Sequence, residues 1–425
     1  MNRNRLGLLV GVALLAAARA RAGTADSSGV SAHGFLLLDS AVRLSDKTPA
    51  GSSAKDFLLG EALGRVELAI EPPGSDAAGT LKLDVSHDAV TGGTDVELRE
   101  GALDWRKGRL DLRAGRQVLT WGLGDLVFIN DLFPKDYESF FLGRPIEYLK
   151  VPSDALRTSL ALKGAAVDVV AIPFFSADRL PARDRFVLGF DPFASANTSQ
   201  TMQPAASWAN TELAARVHGS TGSTELALYA FRGFFHSGSL RGDPAAAPAT
   251  VMRFFPRLSV YGASVQRSAL QGILSVEAGY YDSRDDRQGL DPLIPNSSAR
   301  WLVGYQREVS TDFTIGLQHV SELMMDHDRY RSALPAGFPE VSRYRQTFTV
   351  RATRLLDRQT WKLSVFAFFG FTENDVMLIP EAEQKVSDQL SVAVGANLFG
   401  GDNRATTFGT LADSSNVYVR ARLGF

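Results

Sequence analysis

The chain has 425 residues and contains no cysteine. This absence excludes disulfide bonds, thiolate catalysis, cysteine-ligated zinc and haem attachment through C-x-x-C-H. The six histidines show no H-E-x-x-H spacing, and no G-x-S-x-G nucleophile turn occurs. We therefore expect no cofactor, no metal site, no catalytic residues and no enzymatic activity. A barrel enzyme with a serine and a histidine adjacent on its outer face stays open, because sequence spacing does not reveal a pair formed across strands.

Long apolar runs are also missing after the N-terminus, so the sequence predicts no membrane-spanning helix. The N-terminus itself has basic Arg3 and Arg5, an apolar stretch at 6–18 and the small-x-small sequence ARA at 20–22. This arrangement is typical of a secretory signal peptide. We predict a signal peptide at 1–22 and a single mature domain at 23–425. Its slightly acidic balance gives no reason to expect nucleic acid as a partner.

The recurring pattern is a period of two residues, which is typical of β-strands with one apolar face. In the final segment, 416–425, Val417, Val419 and Leu423 lie on one face, and Arg420 and Arg422 lie on the other. Most such segments have more residues than the ~5–6 of strands in soluble domains and match the ~9–11 of membrane-crossing strands. About eighteen segments follow this pattern: 33–45, 57–71, 79–89, 94–106, 108–120, 154–163, 166–175, 210–219, 224–234, 256–267, 272–283, 299–308, 313–322, 342–354, 360–370, 375–385, 389–399 and 416–425.

Short polar turns alternate with long connections nearly throughout the chain. Together with the strand length, this predicts an all-β, transmembrane antiparallel barrel with short periplasmic turns and long extracellular loops. About sixteen strands are possible instead of about eighteen, because 33–45 and 375–385 are weakly patterned. A secreted β-sandwich also has alternating strands. Strand length, loop alternation and the terminal Phe425 favour the barrel.

Two stretches carry a family resemblance. The last residues, VRARLGF ending at Phe425, look like the assembly signal of Gram-negative outer-membrane proteins. The stretch GRQVLTWGLGDLVF at 115–128 resembles the GRQ-x-x-x-WG stretch of porin-like barrels, some of them related to alginate-export porins. The resemblance implies a channel in the bacterial outer membrane, contact with its lipid, and recognition of the Phe425 strand by the assembly machinery.

The long connection 121–153 is dense in apolar and aromatic residues, which a solvated loop would not favour. We predict that it folds into the lumen and narrows the pore; the alternative is an extracellular cap packed on other loops. Strict alternation would turn Arg116 toward lipid, so we expect either a bulge at Gly115 that turns it inward or a position at the headgroup level. The predicted pore-lining and constriction residues are Arg113, Arg116, Asp125, Asp131, Lys135, Asp136, Arg144, Lys150, Arg157 and Lys163.

The predicted function is a porin for passive passage of small hydrophilic solutes. Basic residues outnumber acidic ones on the best-patterned inward faces, which suggests mild anion preference. The alternative is a barrel sheath or export port that works with a periplasmic partner, either a multihaem cytochrome or polysaccharide secretion machinery. A homo-oligomer is possible.

Overall fold

The structure, a computed structural model, describes residues 29–49, 56–191, 198–243 and 250–425. Strands are numbered in chain order. Eighteen of them form one antiparallel sheet that closes into a barrel, because β1 (Val30–Arg43) pairs with both β2 (Phe57–Ile70) and the last strand, β21 (Asn416–Gly424). The prediction of an eighteen-stranded barrel is confirmed. The predicted signal peptide at 1–22 lies outside the described residues.

The other barrel strands follow one another around the ring by hairpin connections. They are β3 (Ala77–Asp88), β4 (Gly93–Lys107), β5 (Leu110–Gln117), β6 (Ser153–Leu162), β7 (Ala165–Ile172), β9 (Glu212–Thr221), β10 (Thr224–Phe234), β13 (Arg257–Ala269), β14 (Gly272–Ser283), β15 (Ser298–Ser310), β16 (Phe313–Met324), β17 (Tyr344–Leu356), β18 (Trp361–Gly370), β19 (Asp375–Lys385) and β20 (Leu390–Gly401).

The long connections on one side of the barrel carry the remaining elements. Three short strands form a separate sheet: β8 (Thr198–Met202), β11 (Ser239–Asp243) and β12 (Thr250–Phe254). The helices are α1 (Tyr137–Leu142) and α2 (His327–Ala333), with 3-10 turns at Ile146–Leu149, Trp208–Asn210 and Gly409–Ser414. None of the helices in the described ranges has the length and hydropathy needed to cross a membrane.

The two faces of the barrel wall differ in polarity. Large apolar side chains such as Leu103 and Leu228 are 72% and 63% exposed on the outward face. On the inward face, Arg65, Asp84 and Glu277 are 3%, 3% and 1% exposed. Hydrocarbon cannot satisfy a charge or a free backbone group, whereas a polar lumen can satisfy both. The outward face therefore suits lipid, and the inward face suits water and paired charges.

The predicted bulge at Gly115 is wrong. The ladder runs in register through Gly115, which pairs with Ala102 on β4 and Ala155 on β6. Gly115 has a φ of 121°, and a Cβ there would lie 2.2 Å from a backbone oxygen of β4, so the tight approach requires glycine. The register shift of β4 lies on its other side, opposite β3, where Arg99 is the extra residue.

Arg116 consequently stays on the outward face. It lies at the long-loop end of β5 and forms a two-bond ion pair with Asp154 on β6, at 2.8 and 2.6 Å. Such a pair near the membrane interface costs far less than an arginine at the bilayer centre. Lys163 is exposed in the short turn after β6, at the opposite end of the barrel. Neither residue lines the lumen at its narrow part, so the prediction of Arg116 and Lys163 as pore-lining residues is wrong.

The ring closes where Phe425 meets Gly34 on β1. Their backbone groups exchange two hydrogen bonds, at 3.0 and 2.9 Å. A Cβ on Gly34 would lie 2.6 Å from the Phe425 ring and 2.5 Å from the Arg65 carbonyl oxygen. The terminal ring therefore covers a position that only glycine leaves open.

Replacing Gly34 by alanine should weaken barrel closure. Overpacking of this kind costs ~1–3 kcal/mol, so the folded form should be lost at a lower temperature. Heat-modified mobility in SDS gels measures this temperature. Gly79→Ala is the matched control, because its Cβ would make only ordinary contact, at 3.6 Å from Leu103. Equal melting of the two variants would contradict the role given to the Gly34–Phe425 contact.

Candidate functional site

The candidate site is built around residues 118–152, which connect β5 to β6 and are called the inner segment. Its first part is bound to β14. The Glu277 carboxylate, on the inward face, accepts hydrogen bonds from the backbone N–H groups of Leu123, Gly124 and Asn130, at 2.8, 3.2 and 2.7 Å. A buried carboxylate with three donors is well satisfied, since charge-assisted bonds are stronger than neutral ones. Glu277 thus fixes the path of the segment beside β14.

The inner segment also reaches β16 and β17. The Asp125 carboxylate pairs with the Arg351 guanidinium, with one contact at 2.8 Å, and its backbone N–H donates to the Gln318 side chain at 2.8 Å. Further along, Arg144 donates to the Glu61 carboxylate of β2 at 3.0 and 2.7 Å. The ion pairs join the segment to two separate parts of the ring.

Helix α1 lies near the middle of the inner segment. Asp136 caps its N-terminus by accepting the Ser139 N–H at 2.8 Å, and Gly143 ends it in the left-handed conformation at φ 80°. The Gly143 carbonyl then accepts a hydrogen bond from Arg420 on β21. Asp136 is therefore a buried structural cap, not a side chain in open water.

Three guanidinium groups surround one tyrosine next to the β2–β4 wall. Arg65, Arg99 and Arg144 lie 5.2, 5.1 and 4.4 Å from the centre of the Tyr148 ring, and Tyr148 is 1% exposed. Arg99 also donates to two carbonyl oxygens of the inner segment, at 3.1 and 3.0 Å. The bulge in β4 places this guanidinium in position to bind the segment.

Two lysines share one carboxylate inside the segment. Asp131 binds both Lys135, at 3.0 Å, and Lys150, and both ammonium groups lie over the Phe128 ring, at 4.7 and 4.4 Å from its centre. Burial, and next the positive charge of Lys135, lower the pKa of Lys150 to about 8. The charge of the Lys150 ammonium group therefore changes near pH 8.

The apolar residues that made this connection unusual are packed on the barrel wall. Phe141 and Leu142 belong to a buried cluster with Met377 and Phe399 of β19 and β20. Phe133 belongs to another, with residues of β6, β7, β10, β13 and β14. Both clusters lie on the inward face. The connection is therefore rich in apolar residues because it packs on several strands of the barrel wall.

The predicted pore residues have different surroundings. Arg113 faces inward and binds Glu100 and Asp104 at 2.9 and 2.8 Å, and Arg157 lies opposite it in the ladder. Asp131, Lys135 and Asp136 are 5%, 3% and 3% exposed, so they lie inside the segment and do not face open water. Of the predicted set, Arg113 and Arg157 lie side by side on the inward face of the wall. Asp125, Arg144 and Lys150 bind separate partners, namely Arg351, Glu61 and Asp131.

The predicted set of pore residues lacks several inward carboxylates and two arginines of a second long connection. A cavity of about 380 Å³ lies between the inner segment and strands β2–β4. Carboxylates line its wall side, and arginines of the two connections line the other. The charged residues concerned are Glu61, Asp84, Asp88, Asp95, Glu97, Asp136, Glu138, Arg144, Arg179 and Arg185. Strict alternation could have shown the wall carboxylates, but nothing in the sequence indicates that Arg179 and Arg185 lie beside them.

A second cavity, of about 300 Å³, lies on the other side of the inner segment. It is enclosed between Leu123 and strands β9, β10 and β13, and Arg216, His218 and Glu225 line it. Across the residues that the structure describes, no group of three histidine or carboxylate side chains is arranged to hold a metal ion.

A closed antiparallel ring with an apolar outside and a charged inside is a transmembrane β-barrel of the bacterial outer membrane. The fold is similar to that of Pseudomonas aeruginosa OccD3 (OpdP), with 8% identity over 93% of this chain and 91% of that one and a TM-score of 0.54. Its likeness is lower to a loop-deletion mutant of Vibrio cholerae OmpT (12% identity, 94% and 100% of the chains, TM-score 0.45) and to a mutant of Rh. blastica porin (11%, 93% and 100%, 0.43). At such identities the likeness establishes the fold alone. No family model and no curated protein matches the sequence.

Replacing Glu277 by alanine should release the inner segment from β14. Each of the three buried N–H groups left without an acceptor costs ~1–3 kcal/mol. We expect higher or less steady conductance in planar bilayers. Glu225→Ala is the control: it removes the same charge from the inward face, and among the described residues its carboxylate holds no part of the segment. If both variants conduct alike, Glu277 does not position the segment.

The pKa of Lys150 predicts a change in ion selectivity near pH 8. The Lys150 ammonium group is mostly protonated at pH 7. Because its pKa is lowered to about 8, it loses its proton as the pH rises through that value, well below the usual range for lysine. The reversal potential in a salt gradient should therefore move toward cation preference between about pH 7 and pH 9. In the Lys150→Met variant, whose side chain is similar in length but neutral, the reversal potential should not show this shift between about pH 7 and pH 9. The same pH response in both proteins would show that Lys150 does not act on permeating ions.

Proposed function

We propose that the protein is an outer-membrane channel for passive passage of small hydrophilic solutes. One observation carries this proposal: charged cavities of about 380 and 300 Å³ lie on both sides of the inner segment, against the inward face of the wall. Barrels of ~16–18 strands are wide enough to hold an aqueous path beside an inserted loop.

In this proposal the inner segment is the constriction. Its ion pairs through Asp125 and Arg144 hold it against separate parts of the wall, which leaves the two cavities as the remaining space. Solutes would pass between the segment and the charged wall residues of these cavities, such as Glu97 on one side and Arg216 on the other. Selectivity in such pores comes from charge and diameter at the narrowest point.

The mild anion preference stays a prediction, and its basis is narrower than the sequence suggested. Many of the inward arginines are paired with carboxylates: Arg65 with Asp84, Arg113 with Glu100, and Arg351 with Asp125. Paired charges contribute little net potential to the lumen. We therefore expect only a small anion bias, and solutes that carry both charge signs would suit the cavity beside β2–β4.

The alternative functions have less support. A sheath around a multihaem cytochrome or a port for a polysaccharide needs a wide, open lumen, and the inner segment crosses this one. The relation to alginate-export porins rests on the GRQ-x-x-x-WG stretch alone.

The test is single-channel recording in planar bilayers with a salt gradient. We expect discrete openings with a reversal potential slightly on the anion side. Deleting residues 125–145 should raise the conductance severalfold, because a constriction in series dominates the resistance of a pore. Heat-modified gel mobility checks that the shortened barrel folds.

A correctly folded wild-type barrel without conductance would contradict the channel proposal. A deletion variant that conducts like the wild type would contradict only the assignment of the constriction. In the first case the partner-dependent alternatives would be tested by co-purification with periplasmic proteins.

A further inference from the structure

A groove with several arginines lies on the outer surface of the barrel, away from the lumen. It has a volume of about 610 Å³ and lies at the long-loop ends of strands β7, β9, β10, β13 and β14. The charged residues that line it are Arg232, Arg257, Arg284, Arg287, Asp282 and Asp285. None of them takes part in the candidate constriction.

The ladder shows that these side chains point outward. Arg232 pairs with Leu213 on one side and Ser259 on the other, and Leu213 is 48% exposed. Arg257 continues the outward row of β13, and the Arg284 N–H donates to its carbonyl oxygen at 3.0 Å. Arg232 and Arg257 therefore lie on the neighbouring strands β10 and β13, and Arg284 directly follows the end of β14 at a similar height.

The arginines have few partners of their own. Within the described ranges, Arg232 and Arg257 make no side-chain hydrogen bond or ion pair, and both are exposed. Arg284 donates to the Gly233 carbonyl at 3.1 Å, but its Nε is buried and has no partner among these residues. Burial, followed by the charges of Arg232 and Arg257, lowers the pKa of Arg284. The cluster therefore has unused donors and uncompensated positive charge.

The two carboxylates do not neutralise the cluster. Asp282 is bound by Arg287 at 2.8 and 2.7 Å, and Asp285 accepts the backbone N–H of Arg257 at 2.8 Å. Both are engaged, which leaves an excess of positive charge that faces the membrane side. An anion is thus the ligand that this chemistry fits.

The position of the groove in the membrane indicates which kind of anion it meets. In an even-stranded barrel both termini lie at the periplasmic side, so the long-loop ends reach the outer leaflet. Val169 and Tyr261, 43% and 59% exposed, extend the groove as an apolar surface. A ligand that combines an anionic headgroup with acyl chains would match both parts.

We propose that this groove binds a phosphate group of an outer-leaflet lipid. The phosphate oxygens accept from the guanidinium groups of Arg232, Arg257 and Arg284, which match phosphate geometry with paired donors. The acyl chains lie along Val169, Leu213 and Tyr261. The lipid thereby orients the barrel in the membrane through its outer surface, independently of what passes through the lumen.

Native mass spectrometry of the purified, full-length protein in detergent, titrated with diphosphorylated lipid A, tests the proposal. We expect a discrete lipid adduct. Its affinity should fall roughly tenfold or more in the double variant Arg232→Gln/Arg257→Gln, because each arginine contributes charge-assisted bonds. Arg354→Gln is the control. This arginine also faces outward but lies at the periplasmic end, bound to Thr311.

Two further ligands distinguish a lipid phosphate from a free phosphate ion as the occupant of the groove. Lipid A without phosphates should bind the wild type about as weakly as the phosphorylated lipid binds the double variant. Inorganic phosphate in excess should compete only partly, because it lacks the acyl contacts. If inorganic phosphate abolishes the adduct at a similar concentration, the groove is a free-anion site and the lipid proposal is wrong.

Equal lipid affinity of wild type and double variant would overturn the proposal. A change of oligomer mass without a change of lipid binding would also overturn it, because the groove would then be a contact between subunits. If the double variant does not show the folded mobility on gels, Arg257→Gln alone is measured against the same control.

Discussion

The structure depends on one requirement, that every backbone N–H and C=O within the hydrocarbon layer has a partner. A sheet can meet it only by closing. Here β1 pairs with both β2 and β21, and Phe425 exchanges two backbone bonds with Gly34. Closure leaves no free edge, and it fixes which side of each strand faces lipid and which faces the lumen.

Once the ring is closed, the polar lumen can accept a segment that carries charge. The inner segment is bound by Glu277 on β14, Arg351 on β17 and Glu61 on β2, each through a charged group. A buried charge is costly without a partner and acceptable with one. The charged contacts between the inner segment and the wall therefore give the segment one defined path. Apolar contacts, which have no fixed direction, would define that path less specifically. The same pairing leaves little free charge for ion selectivity.

Gly115 and Arg99 show where sequence reasoning failed. A glycine before a misplaced arginine suggested a bulge, but Gly115 has a positive φ within a regular ladder, and Arg116 pairs with Asp154 outside. The bulge of β4 lies at Arg99, in a stretch of alternating charged residues that gave no signal. One extra residue there changes which charges of β4 face inward, so a count of inward charges made from strict alternation was incomplete.

By itself the sequence determined an antiparallel barrel of about sixteen to eighteen strands, the approximate ends of those strands and the side that carries the long connections, because each follows from residues close together in the chain. Period two and turn composition are local properties. Only the tertiary structure decided which charges meet. Glu277 binds Leu123, 154 positions away, and Arg351 binds Asp125, 226 positions away. Such partners come together because eighteen strands close into one ring, and no short stretch of sequence records the distance across it.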